Sequence, residues 1–253
     1  MNHRRPFRFG VNDAPGPDTA ARARRFEALG YNVLLTPDRP QLPSPLPILA
    51  AAGAVTERIG LGTYVLAASL HEPEALVRQL KALLAVAPDR FEPGFGAGLE
   101  AGSPAEKRER LGTLLETVRR ELPDMRILVA ASGRGGLEVA ARFAQTVALS
   151  LPPQARDDEI QERVEMLGGA AGDIQLNYSL TAVGDVPAPW LARQGLDVQS
   201  LRAAGAASVL WGDADAMCEQ LEQRRERLGI SYWTVPAAFA EYLAPVVSRL
   251  QDR

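Results

Sequence analysis

The chain has 253 residues, of which 46% are hydrophobic and 23% charged, with a formal net charge of −3. This is the balance of an ordinary folded domain, and it gives no broad attraction to nucleic acid or to an anionic membrane, so we expect a small-molecule ligand. The single cysteine, Cys218, excludes an internal disulfide. No apolar run resembles a signal peptide or a membrane span, so we expect a cytoplasmic protein.

Apolar runs alternate with helix-like segments in the first half of the chain, which is typical of βα units in a parallel sheet. We predict strands at 7–11, 33–36, 59–66 and 91–95, and helices at 18–29, 47–55 and 73–86. Gly30 supplies a stop for the first helix, and Pro73 is a favoured early residue of the third.

The second half repeats this alternation less regularly. We predict strands at 127–130, 146–149, 174–183 and 232–235, and helices at 104–121, 137–143, 157–167, 213–228 and 239–250. The segment 187–211 has helical patches but no simple assignment. Eight strand–helix units predict a single-domain α/β protein with the (β/α)8 TIM-barrel fold, and an open doubly wound sheet is the alternative.

The residues that support several common α/β chemistries are missing. Schiff-base catalysis needs a lysine at a strand end, but the only lysines, Lys81 and Lys107, lie in predicted helices. A zinc site needs clustered ligands, whereas His3 and His71 are isolated in the sequence. Neither a Gly-x-Ser-x-Gly elbow nor a Walker phosphate loop occurs. A bound redox cofactor is therefore the simplest source of enzymatic activity.

The strongest candidate for an anion site follows the predicted strand 127–130. It consists of Ser132, Gly133, Arg134, Gly135 and Gly136, and it leads into a helix. Glycine lets the backbone approach an anion, the first amides of a helix donate to it, and Arg134 adds positive charge. The alternative is a tight strand-to-helix turn that requires glycine conformations. The dinucleotide pattern G-x-G-x-x-G is not met, because Glu138 stands at its third glycine.

In a (β/α)8 barrel the active site lies at the C-terminal ends of the strands. That rule selects Asn12, Asp13, Asp38, Arg39 and the segments 67–71 and 96–100. Gly96 and Gly98 either admit a flat ring against the backbone or relieve crowding inside the barrel. Asp38 either accepts a hydrogen bond from a ligand or starts a turn, and His71 is either a proton donor or a solvated loop residue. Three aromatic residues either line a substrate pocket or pack in the core: Trp190, Trp211 and Tyr232.

The order of motifs resembles the luciferase-like monooxygenases, in particular the branch that uses the deazaflavin coenzyme F420. The similar segments are 7–11, 29–39, 58–63 with 65–66, 89–98, and 225–232 followed by 244–247. Residues 89–98, for example, are similar to the family's Gly-Arg-Phe-Glu-Leu-Gly-Leu-Gly-Ala-Gly motif. The resemblance implies a luciferase-like barrel, an oxidoreductase or monooxygenase activity on a small organic molecule, and a homodimer.

The resemblance also implies a place for a cofactor, either FMN or coenzyme F420. Its phosphate would contact Ser132, Gly133, Arg134, Gly135 and Gly136. Its ring would lie near Ala67, Ala68 and Gly96, with Asn12 and Gly98 among the further contacts. Catalysis would then involve Asp38, Arg39 and His71.

The chain departs from the family at positions that matter for function. Arg39 replaces the histidine of the family's Asp-His pair, and Leu99 replaces the usual tryptophan after Gly-Ala-Gly. Residues 131–136 replace a run of four glycines, and the segment between the fourth and fifth strands is shorter than usual. Arginine stays protonated and cannot exchange a proton as histidine does. We therefore expect Arg39 either to lie beside Asp38 at the pocket mouth and bind an anionic group, or to be exposed in a loop.

These departures leave two alternatives to a redox enzyme. One is a barrel that has lost its redox cofactor and acts as a binding or accessory protein. The other is a cofactor-free acid–base enzyme that uses Asp38, Arg39 or His71.

Overall fold

The computed structural model describes residues 5–98, 101–251 and 253. The strands are β1 (Arg8–Asn12), β2 (Val33–Thr36), β3 (Gly60–Thr63), β4 (Leu66–Ala67), β5 (Phe91–Glu92), β6 (Gly94–Gly96), β7 (Leu128–Ala131), β8 (Thr146–Leu149), β9 (Gln175–Ser179), β10 (Ala182–Val183), β11 (Val186–Pro187), β12 (Val209–Leu210) and β13 (Ile230–Pro236). The α-helices are α1 (Thr19–Ala28), α2 (Pro45–Gly53), α3 (Pro73–Val86), α4 (Pro104–Glu121), α5 (Arg134–Phe143), α6 (Asp157–Met166), α7 (Val198–Ala203), α8 (Ala214–Leu228) and α9 (Ala240–Leu250). None of the helices in these ranges has both the length and the apolar character needed to cross a membrane.

Parallel pairing closes the main sheet into an eight-stranded barrel. β3 and β4 are two parts of the third barrel strand, and β5 and β6, separated by Pro93, are two parts of the fourth. β3 pairs with β5 while β4 pairs with β6, so the strand order β4–β6–β7–β8–β9–β13–β1–β2–β3–β5 returns to its starting point. The predicted (β/α)8 barrel is confirmed, and the open sheet is excluded.

Alternate residues of each strand point into the barrel or outwards against the helices. Phe9 and Val11 of β1 belong to the large apolar cluster that includes the helices, whereas Leu35 and Tyr232 belong to a separate cluster inside the barrel. A Cβ at Gly10 would lie 2.8 Å from Cδ1 of Leu35, so the interior is filled at this level. The two clusters are the two apolar layers that stabilise the fold.

A polar network crosses the barrel interior near the N-terminal ends of the strands. Nη2 of Arg8 donates to Oε2 of Glu92 at 2.9 Å, and Nη1 donates to Oε1 of Gln175 at 3.1 Å. The hydroxyl of Thr146 donates to Oε1 of Glu92 at 2.8 Å. The buried carboxylate of Glu92 and the partly buried guanidinium of Arg8 satisfy each other and close one end of the barrel.

The prediction of a single strand at 174–183 is wrong. β9 ends at Ser179, and β10 belongs to a separate three-stranded sheet with β11 and β12. The hydroxyls of Thr181 and Ser208 lie 2.6 Å apart, which ties this turn of the chain to a residue far away in sequence. Such a contact leaves no local signal, so the apolar run reads as one strand. The unassigned segment 187–211 forms the rest of this unit around α7.

Candidate active site

The C-terminal ends of the strands form an open mouth of the barrel. Five partly exposed residues on four barrel strands lie there: Asn12, Tyr64, Val65, Ala130 and Ser179. The opposite end is occupied by the polar network of Arg8 and Glu92. A ligand can therefore approach these strand ends at the mouth, which is the usual position of the active site in this architecture.

The predicted anion site lies at the start of α5. The helix begins at Arg134, three residues before the predicted start, with Gly133 as its N-cap and no side chain capping it. Ser132, Gly133 and Arg134 are exposed. The amides of the first helical turn lack partners within the helix, so they remain available to an anion.

The glycines of this segment do not adopt a backbone conformation that requires glycine. Gly133 has a φ of −103°, and Gly135 and Gly136 are helical, so none of the three lies in the left-handed region. A Cβ at Gly135 would instead lie 2.7 Å from Nη1 of Arg108. The glycine at 135 is therefore needed for the close approach of a second arginine, and this weighs against the interpretation as an ordinary turn.

Arg108 is a residue that sequence reasoning missed. It lies on α4, and its guanidinium packs over the start of α5, on which Arg134 also stands. No motif marks it, because Arg108 is one of many charged residues on an exposed helix. The two arginines and the free amides of α5 make this position favourable for a phosphate or a carboxylate.

Asp38 and His71 form a pair beside the mouth. Nε2 of His71 lies 2.7 Å from Oδ2 of Asp38, and the amide of Ala67 donates to the same oxygen at 3.3 Å. The side chains of Asp38 and His71 are only 8% and 13% exposed. Asp38 follows β2 and His71 precedes α3, so the barrel brings together two residues that are distant in sequence. A carboxylate only accepts, so Nε2 carries the proton and Nδ1 is the acceptor in the neutral imidazole.

Of the two alternatives for Arg39, the structure shows the exposed loop position rather than one beside Asp38 at the pocket mouth. Arg39 is exposed, and the Asp38 carboxylate is engaged by His71 and the amide of Ala67. Neighbouring side chains of an extended segment point in opposite directions, so an inward Asp38 sends Arg39 towards solvent.

The glycines at the end of the fourth strand pack against the third. A Cβ at Gly96 would lie 2.5 Å from Cγ2 of Val65, and one at Gly94 would lie 2.2 Å from the carbonyl oxygen of Thr63. This favours the crowding interpretation for Gly96 over direct contact with a ring. Gly98 has a φ of 86°, a conformation that side chains disfavour. The next residue of that motif, Leu99, lies outside the described residues.

A hydrogen-bonded chain beneath the mouth was also missed. The hydroxyl of Tyr64 donates to Oδ1 of Asn177 at 2.9 Å, and Nδ2 of Asn177 donates to Oγ1 of Thr234 at 2.9 Å. Burial raises the pKa of Tyr64 to about 12, so the phenol stays neutral at physiological pH. The period-two alternation of β9, which turns Gln175, Asn177 and Ser179 to one side, is a signal that could have identified Asn177.

Asn12 and Asp13 have different environments at the end of β1. Oδ1 of Asn12 is buried and has no hydrogen-bond partner among the described residues. Nε of Arg22 donates to Oδ2 of Asp13 at 2.6 Å, which ties the strand end to α1. Burial raises the pKa of Asp13 despite this ion pair. An orphaned buried acceptor is costly, so Asn12 is the residue of the two that a ligand could satisfy.

A groove of about 620 Å³ opens beside His71, between the start of α3 and α4. Its walls include Glu72, Glu106, Glu109 and Arg110. Hydrogen bonds from Ser103, first from its backbone, lower the pKa of Glu106. A substrate that approaches His71 through this groove meets more carboxylates than cations.

Ala67 and Ala68 are buried, so a ligand would contact them through main-chain atoms. Tyr232 is fully buried inside the barrel and Trp190 is partly buried against the core, so both are packing residues. Trp211 is 40% exposed and lies beside α8, away from the mouth.

The family model for luciferase-like monooxygenases matches residues 6–120, which contain the first four barrel strands. The resemblance in the sequence to this family is therefore confirmed. No curated protein sequence matches the chain.

Solved structures with the same fold span nearly the whole chain. The monooxygenase RslO1 from Streptomyces bottropensis has a TM-score of 0.73 and 21% identity, covering 96% of this chain and 97% of its own. The coenzyme F420-dependent tetrahydromethanopterin reductase from Methanopyrus kandleri has a TM-score of 0.73 and 14% identity, covering 97% and 98%. Riboflavin lyase RcaE, solved with a modified FMN and riboflavin, has a TM-score of 0.73 and 13% identity, covering 96% and 92%. At identities this low, the structural similarity establishes the shared barrel and no more.

Proposed function

We propose that this luciferase-like barrel is a flavin- or deazaflavin-dependent oxidoreductase, with FMN or coenzyme F420 as its cofactor. It would act on a small organic molecule at the C-terminal face of the barrel. One observation carries the proposal: an arginine-flanked helix start, a histidine–carboxylate pair and an orphaned amide oxygen all lie at that face. Proteins of the same fold that use F420 or contain FMN support the kind of activity.

The start of α5 fits a cofactor phosphate. Free first-turn amides lie beside Arg134, and Arg108 approaches the same turn over Gly135. Each charge-assisted hydrogen bond to a phosphate contributes about 1.5–3 kcal/mol, so two arginines can hold the group strongly.

The mouth also has the features that a flat ring with N–H groups requires. Val65 presents a partly exposed apolar side chain, and Oδ1 of Asn12 is an acceptor without a partner among the described residues. Because Val65 covers Gly96, a ring would contact the valine side chain rather than the glycine backbone. The residues present therefore fit the cofactor, with Val65 added to the predicted contacts.

When bound, a reduced flavin or deazaflavin supplies a hydride, and reduced FMN also reacts with oxygen. The protein contributes position and proton transfer. Asp38 accepts the hydrogen bond from Nε2 of His71 and so fixes the orientation of the imidazole. Nδ1 of His71 is then the nitrogen that takes a proton from a substrate hydroxyl, or returns one to a substrate oxygen. The groove beside His71 is the expected path for the substrate.

The test is an absorbance titration of the purified protein with FMN and with coenzyme F420. One of them should bind, and the double variant Arg108→Ala/Arg134→Ala should bind it at least tenfold more weakly. The matched control is Arg142→Ala, because Arg142 lies on the same helix but pairs with Glu116 at the far end. If neither cofactor binds the unmodified protein, the redox proposal fails and the binding-protein and acid–base alternatives replace it.

The family resemblance also leads us to propose a homodimer that forms through the outer helices. Light scattering at micromolar concentration tests this part, and a monomer would contradict it.

A further inference from the structure

A second cavity, of about 460 Å³, lies between α6, α8 and the segment that precedes α8. Its volume is in the range of small-ligand pockets. Its walls include Arg156, Asp157, Trp211, Arg224 and Arg227. These residues belong to helices on the outside of the sheet and to the loop before α8, so the cavity is separate from the barrel mouth.

Arg224 is a buried cation in the wall of this cavity. The residue is only 8% exposed, and Nη2 donates to the carbonyl oxygen of Val209 at 3.1 Å. Among the described residues, the buried Nη1 has no hydrogen-bond partner and no carboxylate lies within ion-pair distance of Arg224. The guanidinium lies 5.9 Å from the centre of the Trp233 ring, and the nearby Asp157 interacts with it electrostatically. Burial lowers the pKa of Arg224. A buried guanidinium with one unpaired edge is costly, and an anion within the cavity would relieve that cost.

The other charges of the cavity wall are already paired. Arg227 lies 2.9 Å from Oδ2 of Asp157, and Arg156 lies 2.5 Å from Oδ2 of Asp158. The two carboxylates are therefore paired with other arginines, and Arg224 is the arginine of this wall that has no ion pair among the described residues.

Trp211 gives the cavity an aromatic wall. The residue is 40% exposed, and its main chain is held on both sides by Gln220, whose Nε2 donates to the carbonyl oxygen at 2.7 Å. An exposed indole offers a flat face on which an aromatic ring can stack. The sequence left open whether Trp211 packs or lines a pocket, and the structure places it on a pocket wall.

We propose that this cavity binds an aromatic carboxylate, with the ring against Trp211 and the carboxylate directed to the unpaired edge of Arg224. Tight binding requires both the aromatic ring and the negative charge of the ligand. A neutral aromatic amide lacks the anion for Arg224, and an aliphatic carboxylate lacks the flat face for Trp211.

Isothermal titration calorimetry with three probes tests the proposal: 2-naphthoate, 2-naphthamide and cyclohexanecarboxylate. We expect 2-naphthoate to bind, and the other two to bind about tenfold more weakly or worse. Trp211→Ala, at an exposed position, and Arg224→Gln should each reduce the affinity for 2-naphthoate about tenfold. Trp211→Ala keeps the test decisive if Arg224→Gln does not fold.

Arg134→Ala separates this site from the barrel mouth. It should leave 2-naphthoate affinity unchanged, while Trp211→Ala should leave FMN or F420 binding unchanged. Absence of 2-naphthoate binding, unchanged affinity in Trp211→Ala, or loss of affinity in Arg134→Ala would each overturn the proposal. The three results with 2-naphthoate do not depend on whether the redox function is correct.

Discussion

The guanidinium of Arg108 lies so close to Gly135 that a Cβ at that position would come within 2.7 Å of Nη1. The two residues belong to different helices, α4 and α5, and their contact places a second cation at a helix start that already has Arg134. The absence of a side chain at 135 thus determines how charge is distributed around the candidate phosphate site.

Gly135→Ala should displace Arg108 without disturbing the fold. The atom in conflict is the end of a flexible side chain, and alanine is favoured over glycine in a helix by up to about 1 kcal/mol, so the free energy of unfolding should stay the same or rise slightly. Cofactor affinity should fall about three- to tenfold because Arg108 no longer reaches the anion. Absorbance titration and thermal unfolding measure the two effects. Unchanged affinity would show that Arg108 takes no part in binding.

Arg134→Ala should weaken cofactor binding by about 1.5–3 kcal/mol, because it removes a charge-assisted hydrogen bond. The control is Arg39→Ala, which removes an exposed arginine from the loop after Asp38 and should leave the dissociation constant unchanged. A larger loss in Arg39→Ala than in Arg134→Ala would reverse the assignment of the two arginines.

The barrel could be predicted from the sequence because its signals are local. Strand and helix alternate through eight units along the chain, an order that few folds share. The end of β9 could not be predicted, since the hydrogen bond between Thr181 and Ser208 depends on a residue 27 positions away. The same limit explains why this part of the chain had no simple assignment.

The candidate site was predictable only in part, because strand ends can be located from local signals but contacts between distant residues cannot. The rule that strand ends carry the site identified Asp38 and His71, but not their 2.7 Å contact, which depends on two loops meeting. Arg108 lies on a helix surface, and Tyr64 lies where the third barrel strand is interrupted. Neither has a sequence pattern that sets it apart, so only the folded arrangement reveals them.

Asp38→Asn should change the tautomer of His71. With a carboxylate at 2.7 Å the proton of the neutral imidazole resides on Nε2, whereas an amide can also donate and allows the proton to move to Nδ1. Nitrogen-15 NMR of the imidazole measures this directly. The sequence has two histidines, and His3→Gln removes the other signal. The prediction fails if the Nε2-protonated form is equally dominant with asparagine at 38. Because no cofactor is required, this test stands apart from the redox proposal.

Tyr64→Phe should lower the free energy of unfolding and change its dependence on alkaline pH. Loss of the hydrogen bond to Asn177 should cost about 1 kcal/mol at neutral pH. Burial raises the pKa of Tyr64 to about 12 from 10.0, so the folded protein holds this proton more tightly than the unfolded chain. The corresponding stability is fully present below pH 10 and is lost as the pH rises towards 12.

Other buried tyrosines share this behaviour, so the phenylalanine variant should retain a shallower decline rather than none. Urea unfolding at several pH values between neutral and 11 measures the slope, with Tyr242→Phe, which removes an exposed phenol, as the matched control. A slope identical to that of the unmodified protein would mean that Tyr64 titrates as readily in the folded state as in the unfolded chain, contrary to the desolvation of its phenol.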